Sequence, residues 1–227
     1  MTNDLVIVGA GGMARETAAT VAAINAAAPT WRLRGFLDDD PALHGVTHAG
    51  LPVLGPLDAI ADLPDAAVVV CVATARDPGV REQVVRRLGL PAGRYATVVH
   101  PSAEVPAGCT VGPGSVLLAQ VVLTADVTLG AHVAIMPQTV LTHDDIVSDH
   151  VTIASGVRIS GSVRVGRGAY LGAGALIRES LTVGAKSIIG MGAVVLNDVP
   201  PDEVWAGNPA RFLRPVRQPT LQGVLPR

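Results

Sequence analysis

Aromatic side chains are scarce: two Phe, two Trp and two Tyr make up 3% of 227 residues. A bulky aromatic core is thereby excluded. The 49% hydrophobic content must pack as Val, Leu, Ile and Ala, which suits a narrow solenoid interior. Cysteine is sparse too. Cys71 and Cys109 lie in different halves with no CxxC and no metal-ligand spacing, which reads as reduced thiols rather than a disulfide framework or a metal site. Neither sign of charge dominates. A net charge of −2 leaves no basic footprint for nucleic acid or an anionic membrane, and neither is expected as a partner. The first apolar run, Leu5–Ala10, is far too short to span a bilayer. It follows only Met1-Thr2-Asn3-Asp4, without the basic start of a signal peptide, so the expected location is cytoplasmic.

What the chain has in abundance is a period. Every sixth residue from Val99 to Val195 is Val, Leu or Ile. Six matches neither the 3.6 of a helix nor the two of a single strand, but it fits a coil of short flat faces, each pointing one aliphatic residue inward. The residue four further on is also mostly small or apolar, as at Val121, Val127, Val133, Val151, Val157 and Val163. The second position is often glycine (Gly112, Gly130, Gly166, Gly172, Gly184, Gly190), as tight corners would require. Three hexads close a triangular turn, so residues eighteen apart stack at roughly 4.8 Å. Beyond Pro200 a Pro- and Arg-rich tail is expected to fold back over the last coil.

The first hundred residues read differently. Leu5–Val8 is a buried strand, followed by Gly9-Ala10-Gly11-Gly12 and an Ala-rich helix from Met13 to about Ala28. Trp31–Leu37 and Ala67–Ala73 read as further strands, Leu57–Ala61 as a short helix and Val80–Leu88 as a charged helix. Alternating strands and helices argue for a parallel sheet with crossover helices. The expected organisation is a Rossmann-like α/β domain over 1–97, a parallel solenoid over 98–214 and a tail over 215–227.

Three constellations carry chemistry. The glycine turn sits where helix N-terminal N–H groups can cradle a phosphate, although Ala14 replaces the third glycine of the dinucleotide fingerprint and a ligand-free turn competes. Asp38 and Asp39 end the second strand, placed either to meet a ribose hydroxyl or base edge, or simply to form a solvated turn. His143 takes the third position of its hexad, beside a corner, and precedes Asp144 and Asp145. An imidazole with a carboxylate on its Nδ1 side is a general-base arrangement; an exposed surface histidine is the plain alternative. Gly161 one coil above and Ala125 one coil below leave the ring uncovered. Asp145 falls where other hexads are apolar or small. Since an unpaired buried carboxylate is costly, either His143 partners it or the coil bulges to let it reach water.

VGAGGMARE at 8–16, FLDDD at 36–40, VVHPSAEV at 98–105, THDD at 142–145 and WAGNPAR at 205–211 together resemble one known group. It comprises the hexapeptide-repeat acyltransferases of the sialic acid O-acetyltransferase and bacillosamine N-acetyltransferase type, and the likeness runs from Leu5 to about Arg214. It implies that the solenoid is a left-handed parallel β-helix and that the protein is a homotrimer with active sites between subunits. Acetyl-CoA is implied as co-substrate, with no metal and no nicotinamide cofactor, and a nucleotide-linked amino sugar as acceptor. On the family pattern His143 is the general base and Asp144 its carboxylate partner. Thr152, Gly161, Ala173 and Met191 fall at acetyl-CoA positions, and Gly11, Gly12, Asp38 and Asp39 at nucleotide-sugar positions. Met136 stands where the family often has Asn, and Thr152 where it commonly has a second His. The expected activity is acetyl transfer to the amino group of the sugar without an acyl-enzyme. An alcohol acceptor, or a non-catalytic nucleotide-sugar-binding trimer, are the other readings of the same residues.

Overall fold

The computed structural model describes residues 2–217. The N-terminal part runs β1 (Asn3–Val8), α1 (Gly12–Ala27), β2 (Trp31–Leu37), β3 (Thr47–His48), β4 (Leu51–Gly55), β5 (Ala67–Val70) and α2 (Val80–Leu88). The sheet order is β3-β4-β2-β1-β5, parallel throughout except for β3 against β4. Alternation along β1 sends Leu5 and Ile7 to the side of α1, and Val6 and Val8 to the side of α2. The strand is apolar throughout because both of its faces are covered. The β3–β4 hairpin was not expected from sequence. Its two turn residues, Ala49 and Gly50, both have positive φ, but Ala-Gly lacks the Asn-Gly or Asp-Gly signature of that turn.

From Val98 the chain coils. Two-residue strands recur on three faces in fixed order, each pairing in parallel with the strand eighteen residues away. The first face carries Ala134–Ile135, Thr152–Ile153 and Tyr170–Leu171, the second Val140–Leu141, Arg158–Ile159 and Leu176–Ile177, and the third Thr128–Leu129, Ile146–Val147 and Arg164–Val165. The fold is therefore an α/β Rossmann-like domain followed by a left-handed parallel β-helix. The aliphatic series is interior from Leu117 onward, but Val105 is 37% exposed because no coil lies beneath the first one. Past Pro200, Glu203–Ala206 pairs in parallel with the last coil and in antiparallel with Arg211–Pro215, closing the end of the helix. Of the expected 215–227 tail, residues 218–227 lie outside the described residues.

The glycines at the second position have a different cause from the one expected. None has positive φ; a Cβ on Gly112, Gly130, Gly166, Gly172 or Gly184 would come within 2.3–2.6 Å of the next coil. They permit close stacking. The left-handed residue of each corner comes two positions later and is usually not glycine: Gln120, Asp126, His132, Gln138, Asp144 and His150 all have φ between 53° and 62°. Stacked coils hold a conformation that an isolated chain would avoid.

The two domains meet on the first face. Val98, Val116 and Leu118 join Leu5, Ile7, Ala14, Ala18 and Val21 in one core, with Met136 packed against it. At the adjoining corner Arg81 of α2 is 2% exposed and bonds only to oxygens of the chain. Its Nε donates to the His132 carbonyl (2.8 Å), Nη1 to that of Val72 (3.0 Å), and Nη2 to the His150 and Val151 carbonyls and the Thr152 hydroxyl (2.9, 3.0 and 2.7 Å). The His132 and His150 rings stack at 5.0 Å beside it, with the Tyr95 edge against His132. Burial pushes both imidazoles down to about 4, with the Arg81 charge acting in the same direction.

A histidine that is harder to protonate folded than unfolded stabilises the fold above its unfolded pKa, and that stability is lost as pH falls toward the folded value. The seam is therefore expected to weaken between about pH 6.5 and 4. In thermal unfolding, the melting temperature of the wild type should drop more steeply across that window than that of a His132→Gln/His150→Gln variant. Parallel curves for the two proteins would contradict this.

Candidate active site

The β1–α1 turn opens a cavity of about 370 Å³ at the carboxyl ends of the parallel strands, lined by Gly9, Gly11, Gly12, Asp38, Asp40, Thr74 and Arg76 among others. Ligands of open parallel sheets bind at this edge. Gly11 caps α1 without any side-chain hydrogen bond, and the first turn carries no acidic residue. A Cβ on Gly11 or Gly12 would meet nothing within 4 Å, so the turn faces open space with its first N–H groups available to an anion. Asp38 is buried and braces the turn: its Oδ2 accepts from Ala10 N (2.9 Å) and its Oδ1 from Asp40 N (3.0 Å). Asp39 does not join it. Its carboxylate pairs with Arg87 and accepts from Leu57 N, turned away from the cavity, and Asp40 lines the wall in its place. Thr74 and Arg76 were not anticipated, because they sit in a loop after β5 with no motif to mark them.

His143 occupies the corner between the second and third faces of the β-helix, while the N-terminal domain covers the first face. The His143 side chain is 64% exposed, its Nδ1 is 2.8 Å from Asp144 Oδ2, and its Nε2 has no hydrogen bond among the described residues. Asp144 holds the left-handed position of the corner (φ 61°), which swings its carboxylate back toward the preceding ring. Against the ring, one coil above, lies Gly161, where a Cβ would stand 2.4 Å from both Cε1 and Nε2. Asp145 neither pairs with the His143 ring nor reaches water. It is 0% exposed, and its carboxylate accepts from Thr142 N (3.0 Å) and Val163 N (2.9 Å). Burial pushes it up to about 7, opposed by those two N–H groups.

Ala173 and Met191 lie at the corner between the first and second faces, joined through Gly192 N donating to the Ala173 carbonyl (2.8 Å), and Met191 is 81% exposed. They share one edge of the β-helix, and Gly161 and His143 share another. Thr152 is brought to neither edge. It is buried under the N-terminal domain with its hydroxyl held by Arg81, so its side chain is not open to a coenzyme. Met136, the other departure from the family pattern, is also taken up by that seam. No group of three or more metal-ligating side chains occurs among the described residues.

Residues 4–88 match the PglD N-terminal domain family. Solved structures similar over nearly the whole chain include the following three. The acetyltransferase domain of PglB from Neisseria gonorrhoeae, in complex with acetyl coenzyme A, is 29% identical with a TM-score of 0.83, over 94% of this chain and 100% of that one. PerB from Caulobacter crescentus, in complex with CoA and GDP-perosamine, is 27% identical with a TM-score of 0.81, over 93% and 97%. WeeI from Acinetobacter baumannii is 29% identical with a TM-score of 0.79, over 93% and 100%. No curated protein matches the chain. The fold and these matches make the chain similar in class to the hexapeptide-repeat acetyltransferases. More particularly, they bear out the resemblance to the sugar acetyltransferases drawn from the sequence motifs.

Gly161 is not in the left-handed region, and the three atoms nearest to an added methyl group all belong to the His143 ring. A catalytic role for His143 predicts that Gly161→Ala stays folded and loses turnover by about 100-fold, the effect of displacing a reacting group by roughly 1 Å. Steady-state kinetics beside a melting curve tests this; undiminished turnover would contradict the seating of His143 on Gly161.

Proposed function

We propose that the protein transfers the acetyl group of acetyl-CoA to the amino group of a nucleotide-linked amino sugar, with His143 as general base. The observation that carries this reading is the His143–Asp144 pair: Nδ1 is engaged at 2.8 Å and Nε2 is left open on an exposed corner. The acceptor nitrogen attacks the thioester carbonyl while Nε2 takes its proton. The tetrahedral intermediate then expels the CoA thiolate, which recovers the proton from the imidazolium. Asp144 holds the ring and its tautomer. No covalent enzyme intermediate is needed, and burial pushes the Cys71 thiol up to about 12, which makes it a poor nucleophile.

The open α1 N-terminus at Gly11 and Gly12, with Asp38 bracing the turn, is assigned to the nucleotide diphosphate of the acceptor. The binding of GDP-perosamine and CoA by PerB supports both substrate classes, and an amino sugar there favours nitrogen over oxygen as nucleophile. Gly161, Ala173 and Met191 are assigned to acetyl-CoA; Thr152 is left out because Arg81 engages its hydroxyl. The division into a 1–97 acceptor-binding unit and a 98–214 acyltransfer unit belongs to the same reading.

A homotrimer follows as part of the proposal. Within one chain the N-terminal domain sits on the first face and His143 on the corner opposite that face. A base on the far corner serves the cavity of a neighbouring copy, and an exposed Met191 on a third-party corner then borders a groove between copies.

Acetyl-CoA is offered with a panel of nucleotide-linked 3-amino and 4-amino sugars, and free thiol release is followed. Wild type should turn over at least one of them, and His143→Ala should lose at least about 100-fold in turnover with acetyl-CoA binding retained. Equal turnover by the two proteins would refute the role of His143.

A further inference from the structure

We propose that Asp145 is a positioning residue for acetyl transfer, acting from the interior of the β-helix to hold the His143 corner in register with the Gly161 corner above it. The inference rests on the reading of His143 as the base. Asp145 stands in an inward column with Val127 below and Val163 above, each 0% exposed, and Leu181 and Val199 further along. A carboxylate in such a column needs a local reason, since every neighbour shows that an aliphatic residue suffices for packing.

Its two hydrogen bonds supply that reason. Oδ2 reaches back three residues to Thr142 N, which it shares with the Ile159 carbonyl, so the side chain closes the turn 142–145 that carries His143 and Asp144. Oδ1 reaches up one coil to Val163 N, two residues beyond Gly161. The same carboxylate therefore ties the turn bearing the ring to the turn against which the ring lies. Ser115 makes the same link one coil on, its Oγ accepting from Val133 N (2.9 Å), but its hydroxyl donates onward to the Gly130 carbonyl; Asp145 differs in also accepting from the N–H of Thr142, so that it closes its own turn while it holds the next coil. The His143 ring is largely exposed and touches few neighbours, so its orientation depends on its backbone turn and on Asp144. Productive general-base geometry tolerates errors of only about 0.5 Å.

Asp145→Val tests this, because it restores the aliphatic column and should leave the fold at least as stable. Turnover should fall about 10- to 100-fold while KM for acetyl-CoA and for the amino sugar each change less than about 3-fold. In a His143→Ala background the same substitution should produce no further loss, since the misplaced group is already gone. Wild-type turnover in a folded Asp145→Val protein would overturn the proposal, and so would an equal loss in the His143→Ala background. Should the valine variant fail to assemble, Asp145→Asn, which keeps the shape and one acceptor, must show a smaller but clear loss of turnover at unchanged KM; unchanged turnover overturns the proposal. If His143→Ala alone is fully active, that single variant removes the base reading, and the Asp145 proposal falls with it.

Discussion

Each coil of the β-helix satisfies its backbone by donating to the coil eighteen residues on, and every other feature of the molecule is subordinate to that register. Thr128 N donates to the Asp145 carbonyl, Ile146 N to that of Val163, and Arg164 N to that of Leu181, each near 2.9 Å. Slipping by one residue would turn the buried aliphatic series outward, so the hydrophobic period and the ladder enforce the same alignment. The ladder also holds left-handed corners at residues such as Gln138 and Asp144, and it leaves no room for a Cβ at Gly112 or Gly166.

Because the register is rigid, it distributes chemistry by position alone. The first face is covered by the N-terminal domain, with Arg81 at the seam, and residues on that face become structural: Met136 packs and Thr152 accepts a hydrogen bond. The corner opposite stays in solvent and carries His143. The β1–α1 cavity and His143 are thus set on opposite sides of one chain, and the proposed trimer is the arrangement that would join them. The energetic cost of the buried guanidinium is met by oxygen acceptors from both domains rather than by a counter-ion, which fixes the cavity wall at Val72 relative to the β-helix.

Much of this was legible in the residues because period and alternation are local. The aliphatic hexads, β2 over Trp31–Leu37 and α2 over Val80–Leu88 follow from spacing alone, and stacking arithmetic put Gly161 over His143. What could not be read depends on side chains choosing among competing partners. Asp39 lies next to Asp38 in sequence, yet Arg87 draws it out of the cavity. The spacing offers Asp145 either the His143 ring or water through a bulge, but two backbone N–H groups claim it instead. Arg81 reads as one charge on an amphipathic helix, and only the docking of two domains reveals it as their shared clamp. The corner glycines were recognised for the wrong property, since a close approach and a positive φ select the same residue type.

The central claim is that one chain's base acts on a substrate held by another. It is tested most directly by assembling mixed oligomers from a His143→Ala chain and a chain whose cavity is blocked by Gly12→Asp, each inactive by itself. A trimer containing both kinds of chain holds one intact base–cavity pair among three, so purified mixed trimers should recover roughly a third of wild-type turnover. Mixed trimers as inactive as their parents would contradict the account, and would place base and acceptor within the same chain.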